Sequence, residues 1–219
     1  MNKTFVFLKT VVAATVSLAF AAQAQAGGDA EAGKTKAAMC IGCHGIPGYQ
    51  NSFPEIHKVP KIAGQSEKYV AAALTAYQKG ERKHPTMRGM AGSLSEQDIA
   101  DLAAYYAGLN PGAKAPEALK PAPPEVAALL QKGACVSCHG ANLSQPVDPS
   151  YPKIAGQHPD YLYVALKSYT VEGNPHVGRS NAIMGGIAKQ FKPAELKELA
   201  KFVGSLDGEL ATVPQSRFR

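Results

Sequence analysis

Two copies of one short cysteine motif constrain this chain more than any other feature of its sequence. The chain reads Cys-Ile-Gly-Cys-His at residues 40–44 and Cys-Val-Ser-Cys-His at residues 135–139, and these motifs use all four of its cysteines. Other segments recur at similar offsets, since Pro-Lys-Ile-Ala-Gly-Gln begins at Pro60 and again at Pro152. A repeat of about 95 residues in a chain of 219 predicts two units of similar structure.

The Cys-x-x-Cys-His motif is the attachment signature of c-type haem. Cysteines three positions apart lie within about one helical turn, so both thiols can reach the two vinyl groups on one edge of a porphyrin. The histidine that follows is then carried under the ring, where an imidazole nitrogen can bind iron. The sequence therefore predicts two covalent haem c groups, with thioether bonds at Cys40, Cys43, Cys135 and Cys138 and iron ligands at His44 and His139.

Other uses of paired cysteines fit less well. A single zinc site would have to join two pairs that have 91 residues between them, and it would leave the histidine after each pair unexplained. A thioredoxin-like redox pair needs a βαβ setting, which the sequence does not indicate. Structural disulfides are a further alternative, because they occur in exported proteins.

The apolar pattern predicts an all-α fold. Positions i, i+3, i+4 and i+7 are apolar or aromatic in two pairs of matching segments, and no alternating pattern indicates a strand. A short helix is expected before each motif, near residues 29–39 and 124–132. Ser95 with Asp98 resembles a capping box, and Pro193 suits a first helical turn. The prediction is two small helical domains, each built around one haem. The first pair of matching segments is Val70, Ala73, Leu74 and Tyr77 with Leu162, Ala165, Leu166 and Tyr169. The second pair is Ile99, Leu102, Ala103 and Tyr106 with Leu196, Leu199, Ala200 and Val203.

The ligand on the other side of each iron decides whether the iron is closed or open to substrates. An alignment of the two halves without gaps places Met184 on Met87, while Met90 meets an isoleucine. Met87 and Met184 are therefore the candidate axial ligands, expected on loops just before the final helix of each half. Met90 is expected to pack in the core. His84 and His176 are rival ligands, although they do not align with each other.

The order of these features resembles a known family. In class I cytochrome c, the order along the chain is a haem motif, a Pro-x-x-x-Gly segment, an axial methionine and a final amphipathic helix. Two such domains in tandem resemble the dihaem cytochrome c4 family. The resemblance implies two His/Met haems about a pseudo-twofold axis, with their propionate edges facing each other. It also implies that the carbonyls of Pro60 and Pro152 accept the Nδ1–H of each proximal histidine.

Two arginines occupy equivalent positions in the halves. Arg82 and Arg179 each lie five residues before the candidate methionine ligand. A guanidinium suits a carboxylate geometrically. Our hypothesis is that each arginine pairs with a haem propionate, and an exposed loop charge is the alternative.

The N-terminus has the pattern of a secretory signal. Lys3 and Lys9 form a basic start, an apolar run covers Val11–Ala22, and Ala24-Gln25-Ala26 is a typical cleavage site. We expect residues 1–26 to be removed and the mature chain to enter a bacterial periplasm; an uncleaved anchor is the alternative. No other stretch approaches the apolar length of a membrane span, and weak peripheral membrane association is left open.

The remaining chain divides at a proline-rich segment. The expected domains are residues 27–110 and 125–219, joined by a semi-stiff linker at residues 111–124. Removal of the two signal lysines lowers the formal net charge from +6 to +4. That charge excludes a nucleic-acid-binding role, which needs a dense basic face.

The sequence thus predicts an electron carrier rather than an enzyme. The expected partners are a quinol-oxidising complex or a periplasmic dehydrogenase upstream and a terminal oxidase downstream. One alternative is the dihaem subunit of a complex such as flavocytochrome c sulfide dehydrogenase. Another is a dihaem peroxidase or thiosulfate dehydrogenase, which would need an unusual or releasable ligand at one haem.

Overall fold

The computed structural model describes residues 27–109, 112 and 114–214, and the predicted signal segment lies outside the described residues. We call residues 27–109 the N-terminal half and residues 114–214 the C-terminal half. The N-terminal half contains α1 (Ala30–Lys36), a 3-10 turn (Ala37–Met39), α2 (Ile41–His44), β1 (Gln50–Asn51), β2 (His57–Lys58), α3 (Glu67–Gln78), β3 (Arg82–Lys83), α4 (Pro85–Gly92) and α5 (Glu96–Gly108).

The C-terminal half repeats this helical order. It contains α6 (Pro124–Lys132), α7 (Cys135–His139), α8 (Pro159–Ser168), β4 (Gly178–Arg179), α9 (Ala182–Ala188) and α10 (Pro193–Gly204). Helix α6 thus begins at Pro124, the last residue of the expected linker. Helices dominate both halves, as predicted, and no helix in the described part of the chain is long and apolar enough to cross a membrane.

Local sequence signals define several helix ends. Asp29 caps α1 by accepting the backbone N–H groups of the next turn. Ser95 and Asp98 form the predicted capping box of α5, and Pro193 occupies the first turn of α10 as expected. These signals fix where α1, α5 and α10 begin.

The first and last helices of each half pack against each other and close the core. Helix α1 crosses α5 at Gly33, where a Cβ atom would lie 2.0 Å from the backbone oxygen of Asp101. Helix α6 packs similarly against α10. The core of each half lies between these helices and the haem motif; it includes Ala37, Ile41, Leu102, Tyr105 and Tyr106 in one half and Val126, Leu130, Leu143, Leu162, Phe191, Leu196, Leu199 and Val203 in the other.

Very short strands link parts of the chain that are far apart in sequence. Strands β1 and β2 pair within the N-terminal half. Strand β3 pairs antiparallel with β4 of the other half, with Arg82 opposite Arg179. A further bridge joins Ala63 to Ala211, so the segment after α10 returns to the N-terminal half. A strand of two residues is too short to show an alternating pattern in the sequence. The pairing of β3 with β4 and the bridge from Ala63 to Ala211 hold the two halves in a defined orientation.

Candidate haem sites

Each cysteine motif forms a short helical turn at the wall of one large cavity. Cys40 precedes α2, which carries Cys43 and His44, whereas α7 begins at Cys135 and ends at His139. No disulfide joins any two of the four cysteines, so the disulfide alternative is not realised here. The described part of the chain gathers no group of three or more His, Cys, Asp or Glu side chains of the kind that a zinc site would require.

The cavity extends through both halves and has a volume of about 720 Å³. In each half its wall holds two thiols, at least one imidazole, at least one thioether and aliphatic side chains. This donor set fits a covalently attached porphyrin, because it combines attachment points, two iron ligands of different kinds and an apolar surround. Its lining includes Cys40, Cys43, His44, Leu74, Met87 and Leu102 on one side and Cys135, Cys138, His139, Leu162, Met184 and Leu199 on the other.

Both histidines are oriented by a proline carbonyl. His44 Nδ1 lies 3.0 Å from the oxygen of Pro60, and His139 Nδ1 lies 2.9 Å from the oxygen of Pro152. A carbonyl can only accept, so Nδ1 carries the proton and Nε2 keeps its lone pair. Burial lowers the pKa of both imidazoles. Each histidine is therefore held neutral, in the tautomer that can bind iron through Nε2.

The candidate methionines lie on helices, so the expectation that they sit on loops is wrong. Met87 is in the first turn of α4 and Met184 is in the first turn of α9. The helices start early because a side chain three residues before each methionine caps them. His84 Nδ1 accepts the Met87 N–H at 3.4 Å, and Asn181 Oδ1 accepts the Met184 N–H at 2.9 Å.

The third methionine of this region is not a core residue. Met90 lies on α4 at the cavity edge, and its side chain is 40% exposed. The expectation of core packing is therefore wrong for Met90. Met87 and Met90 are three residues apart on one helix and both border the cavity, but Met87 is half-buried whereas Met90 is exposed.

The rival histidines have different surroundings. His84 is half-buried; its Nδ1 caps α4 and its Nε2 lies 3.2 Å from the amide nitrogen of Asn51. His176 is exposed and lines a separate surface pocket rather than the large cavity. The position of His84 three residues before Met87, matched by Asn181, is a sequence signal for a cap that the motif search missed.

The two arginines contact tyrosines. Arg82 Nη2 donates to the hydroxyl of Tyr69 and Arg179 Nη2 donates to that of Tyr161, each at 3.0 Å. Both guanidinium groups also lie over aromatic rings of α3 or α8. Both arginines line the cavity, and neither forms an ion pair with a carboxylate of a described residue. The tyrosines were missed as site residues, although Tyr69 and Tyr161 are equivalent in the repeat.

Several known proteins are similar to this chain in sequence and in structure. The family model described as cytochrome c matches residues 30–110 and 125–207. Cytochrome c4 of Azotobacter vinelandii is 31% identical, over 90% of this chain and 99% of that protein. A thiosulfate dehydrogenase electron acceptor of Thiomonas intermedia is 30% identical, over 78% of this chain and 79% of its own length. The solved structure of cytochrome c4 from Pseudomonas stutzeri has a TM-score of 0.59 at 29% identity, covering 82% of this chain and 99% of that one.

Proposed function

This chain belongs to the cytochrome c family as a dihaem electron carrier of the cytochrome c4 type. From that premise, we propose that each haem iron is held between a histidine and a methionine. The pairs are His44 with Met87 and His139 with Met184. One observation carries this proposal. In each half, a histidine that a proline carbonyl orients and a methionine on a capped helix line the same cavity.

The side chains of the site fit electron transfer without bond chemistry. When bound, haem iron supplies one-electron chemistry by cycling between its ferrous and ferric states. The methionine thioethers favour the ferrous state, and the apolar walls disfavour the additional ferric charge. The histidine and the methionine of each half would fill both axial positions of a bound haem iron and so exclude external ligands. The result is a carrier with high potentials that moves electrons by outer-sphere transfer.

We also propose that Arg82 and Arg179 bind haem propionates, as their spacing from the methionines suggests. Both guanidinium groups are fixed by a tyrosine hydroxyl and line the cavity, and no carboxylate in the described part of the chain forms an ion pair with them. A half-buried cation without a counter-ion is unfavourable, and a propionate would supply the missing charge in a suitable planar geometry. The tyrosines orient the arginines for this contact.

We further propose a periplasmic location and respiratory partners. The N-terminal basic and apolar pattern supports export. A relative named as an electron acceptor of thiosulfate dehydrogenase supports a periplasmic dehydrogenase as a donor, with a quinol-oxidising complex as the other upstream candidate. A terminal oxidase is the downstream partner. The modest net charge favours small, transient interfaces over strongly steered ones.

The visible spectrum of the purified holo-protein tests the ligation. We expect the ferric protein to show the weak long-wavelength sulfur-to-iron band with an intensity for two haems. The ferrous protein should not change its spectrum under carbon monoxide. A band for only one haem, or prompt carbon monoxide binding, would mean that one iron is open or has another ligand, and the His/Met proposal would be rejected.

A further inference from the structure

The peptide group between Pro60 and Lys61 is hydrogen-bonded on both sides. Its carbonyl oxygen accepts from His44 Nδ1 within the N-terminal half at 3.0 Å. Its N–H, which belongs to Lys61, donates to Gln157 Oε1 of the C-terminal half at 2.9 Å. One planar unit therefore lies between the proximal histidine of one half and a side chain of the other.

The same arrangement occurs in the opposite direction. The carbonyl of Pro152 accepts from His139 Nδ1 at 2.9 Å, and the N–H of Lys153 donates to Gln65 Oε1 at 3.0 Å. Gln65 and Gln157 are the last residues of the two Pro-Lys-Ile-Ala-Gly-Gln segments. Each segment thus presents a peptide group to its own histidine and a glutamine to the other half.

Both glutamines are held firmly in these positions. Gln157 Nε2 donates to the carbonyl of Lys61 at 2.8 Å, and Gln65 Nε2 donates to that of Lys153 at 3.0 Å. Each Oε1 also accepts the backbone N–H of the following residue. The two side chains are only 4% and 5% exposed, so water does not replace these bonds. A buried amide that satisfies both its donor and its acceptor in this way has little freedom to move.

Hydrogen bonds in a chain polarise one another. An acceptor at the N–H of a peptide group increases the negative charge on the oxygen of the same group. That oxygen then accepts more strongly from histidine Nδ1, and a stronger bond there raises the basicity of the ligand nitrogen. A more basic ligand stabilises ferric iron and lowers the reduction potential.

We propose that Gln157 tunes the proximal histidine of the N-terminal haem and Gln65 that of the C-terminal haem, each acting across the boundary between the halves. This inference rests on the proposed ligation by His44 and His139. The glutamines are positioning residues, since each acts on a histidine of the other half through a peptide group between them. The way in which the two halves dock then affects the reduction potential of each haem.

The test is a crossed pair of variants, Gln157→Leu and Gln65→Leu, in the holo-protein. The first readout is the Nδ1–H proton resonance of His44 and His139 in the reduced, diamagnetic state. Gln157→Leu should move the His44 resonance upfield and raise one reduction potential, with His139 little changed. Gln65→Leu should do the reverse.

A matched control removes a different contact between the halves. Lys167→Gln breaks an ion pair with Glu55 at the surface without touching either peptide group, and it should move neither resonance. A second variant covers the case in which the leucine variants do not fold. Gln157→Glu keeps an oxygen acceptor for the Lys61 N–H and makes it stronger, so the His44 resonance should move downfield.

The outcomes separate this inference from the proposed ligation. If the sulfur-to-iron band is intact and the glutamine variants leave both histidine resonances in place, or shift them equally, the cross-domain effect is refuted. If the band is missing in the unaltered protein, the ligation proposal fails instead. A shift confined to the histidine of the opposite half supports the inference.

Discussion

Arg82 and Arg179 are directly opposite residues of the antiparallel ladder that joins the two halves. Each guanidinium is bound by a tyrosine hydroxyl of its own half, and both line the haem cavity. Two like charges on adjacent strands repel each other unless anions lie nearby. The pairing therefore brings positive charge to the place where the two haem sites approach each other.

The first prediction concerns this charge. Arg82→Gln should lower the potential of the N-terminal haem, because an unpaired propionate favours ferric iron. The potential should also become more dependent on pH. Spectroelectrochemical titration of both haems is the measurement, and Arg88→Gln, at an exposed position on α4, is the control for net charge. Unchanged potentials in Arg82→Gln would exclude the propionate contact.

The second prediction separates the methionines. Met87→Ala should remove half of the sulfur-to-iron band and allow one carbon monoxide per protein to bind, since it opens one axial position. Met184→Ala should do the same at the other haem. Met90→Ala is the control, because its side chain is partly exposed and three residues away. Carbon monoxide binding in the Met90 variant alone would reverse the assignment.

The third prediction concerns the crossing of α1 and α5. Gly33→Ala should destabilise the N-terminal half, since the new methyl group would meet the backbone of Asp101 at 2.0 Å. Overpacking of this kind costs about 1–3 kcal/mol. Denaturant unfolding is the measurement. Gly108→Ala, which has no atom within 4 Å of the new methyl group, should leave the free energy of unfolding unchanged or slightly higher. Equal free energies of unfolding for the two variants would show that α1 and α5 can move apart without a loss of stability.

The fourth prediction is a pH dependence. The Asp101 carboxylate accepts from Lys36 Nζ at 2.5 Å and from the Asp29 N–H at 2.8 Å. The hydrogen bond from Lys36, then that from Asp29, holds the pKa of Asp101 below its usual value. A carboxyl whose folded pKa lies below its unfolded value of about 3.9 stabilises the fold above that pH. This stability is lost as the pH falls through the folded pKa.

Asp101→Asn should therefore be less stable than the unaltered protein at neutral pH. The difference should shrink as the pH falls below about 4, because the carboxyl is then protonated in the unfolded chain and progressively in the folded one. The free energy of unfolding across this range is the measurement. Asp207→Asn makes the same charge change at an exposed site and is the control for the loss of one negative charge. A difference that is constant with pH would contradict the assigned pKa shift.

Several features of this protein are local in sequence, and for that reason they could be predicted. The spacing of Cys40, Cys43 and His44 is set by one helical turn, so the motif alone indicates covalent haem. The capping box at Ser95 likewise needs only four residues. The repeat then extended the haem inference to the other half. Family, cofactor and electron-carrier function followed from these signals, and the comparisons confirm them.

Other features were not predicted correctly from the sequence. The loop placement of Met87 and Met184 was wrong because a cap at His84 or Asn181 extends each helix to the methionine. The tyrosine partners of the arginines were not predicted, since they depend on how α3 and α8 pack beside the strands.

The sequence by itself determined what this chain binds and that it does so twice, because attachment chemistry requires a fixed local spacing. Only the tertiary structure decided how the two sites are joined. The bonds from Gln65 to Lys153 and from Gln157 to Lys61 cross between the halves, and their partners are chosen by packing rather than by neighbouring residues. Hydrogen bonds of this kind depend on distances of a few ångströms, which no local pattern of residues encodes.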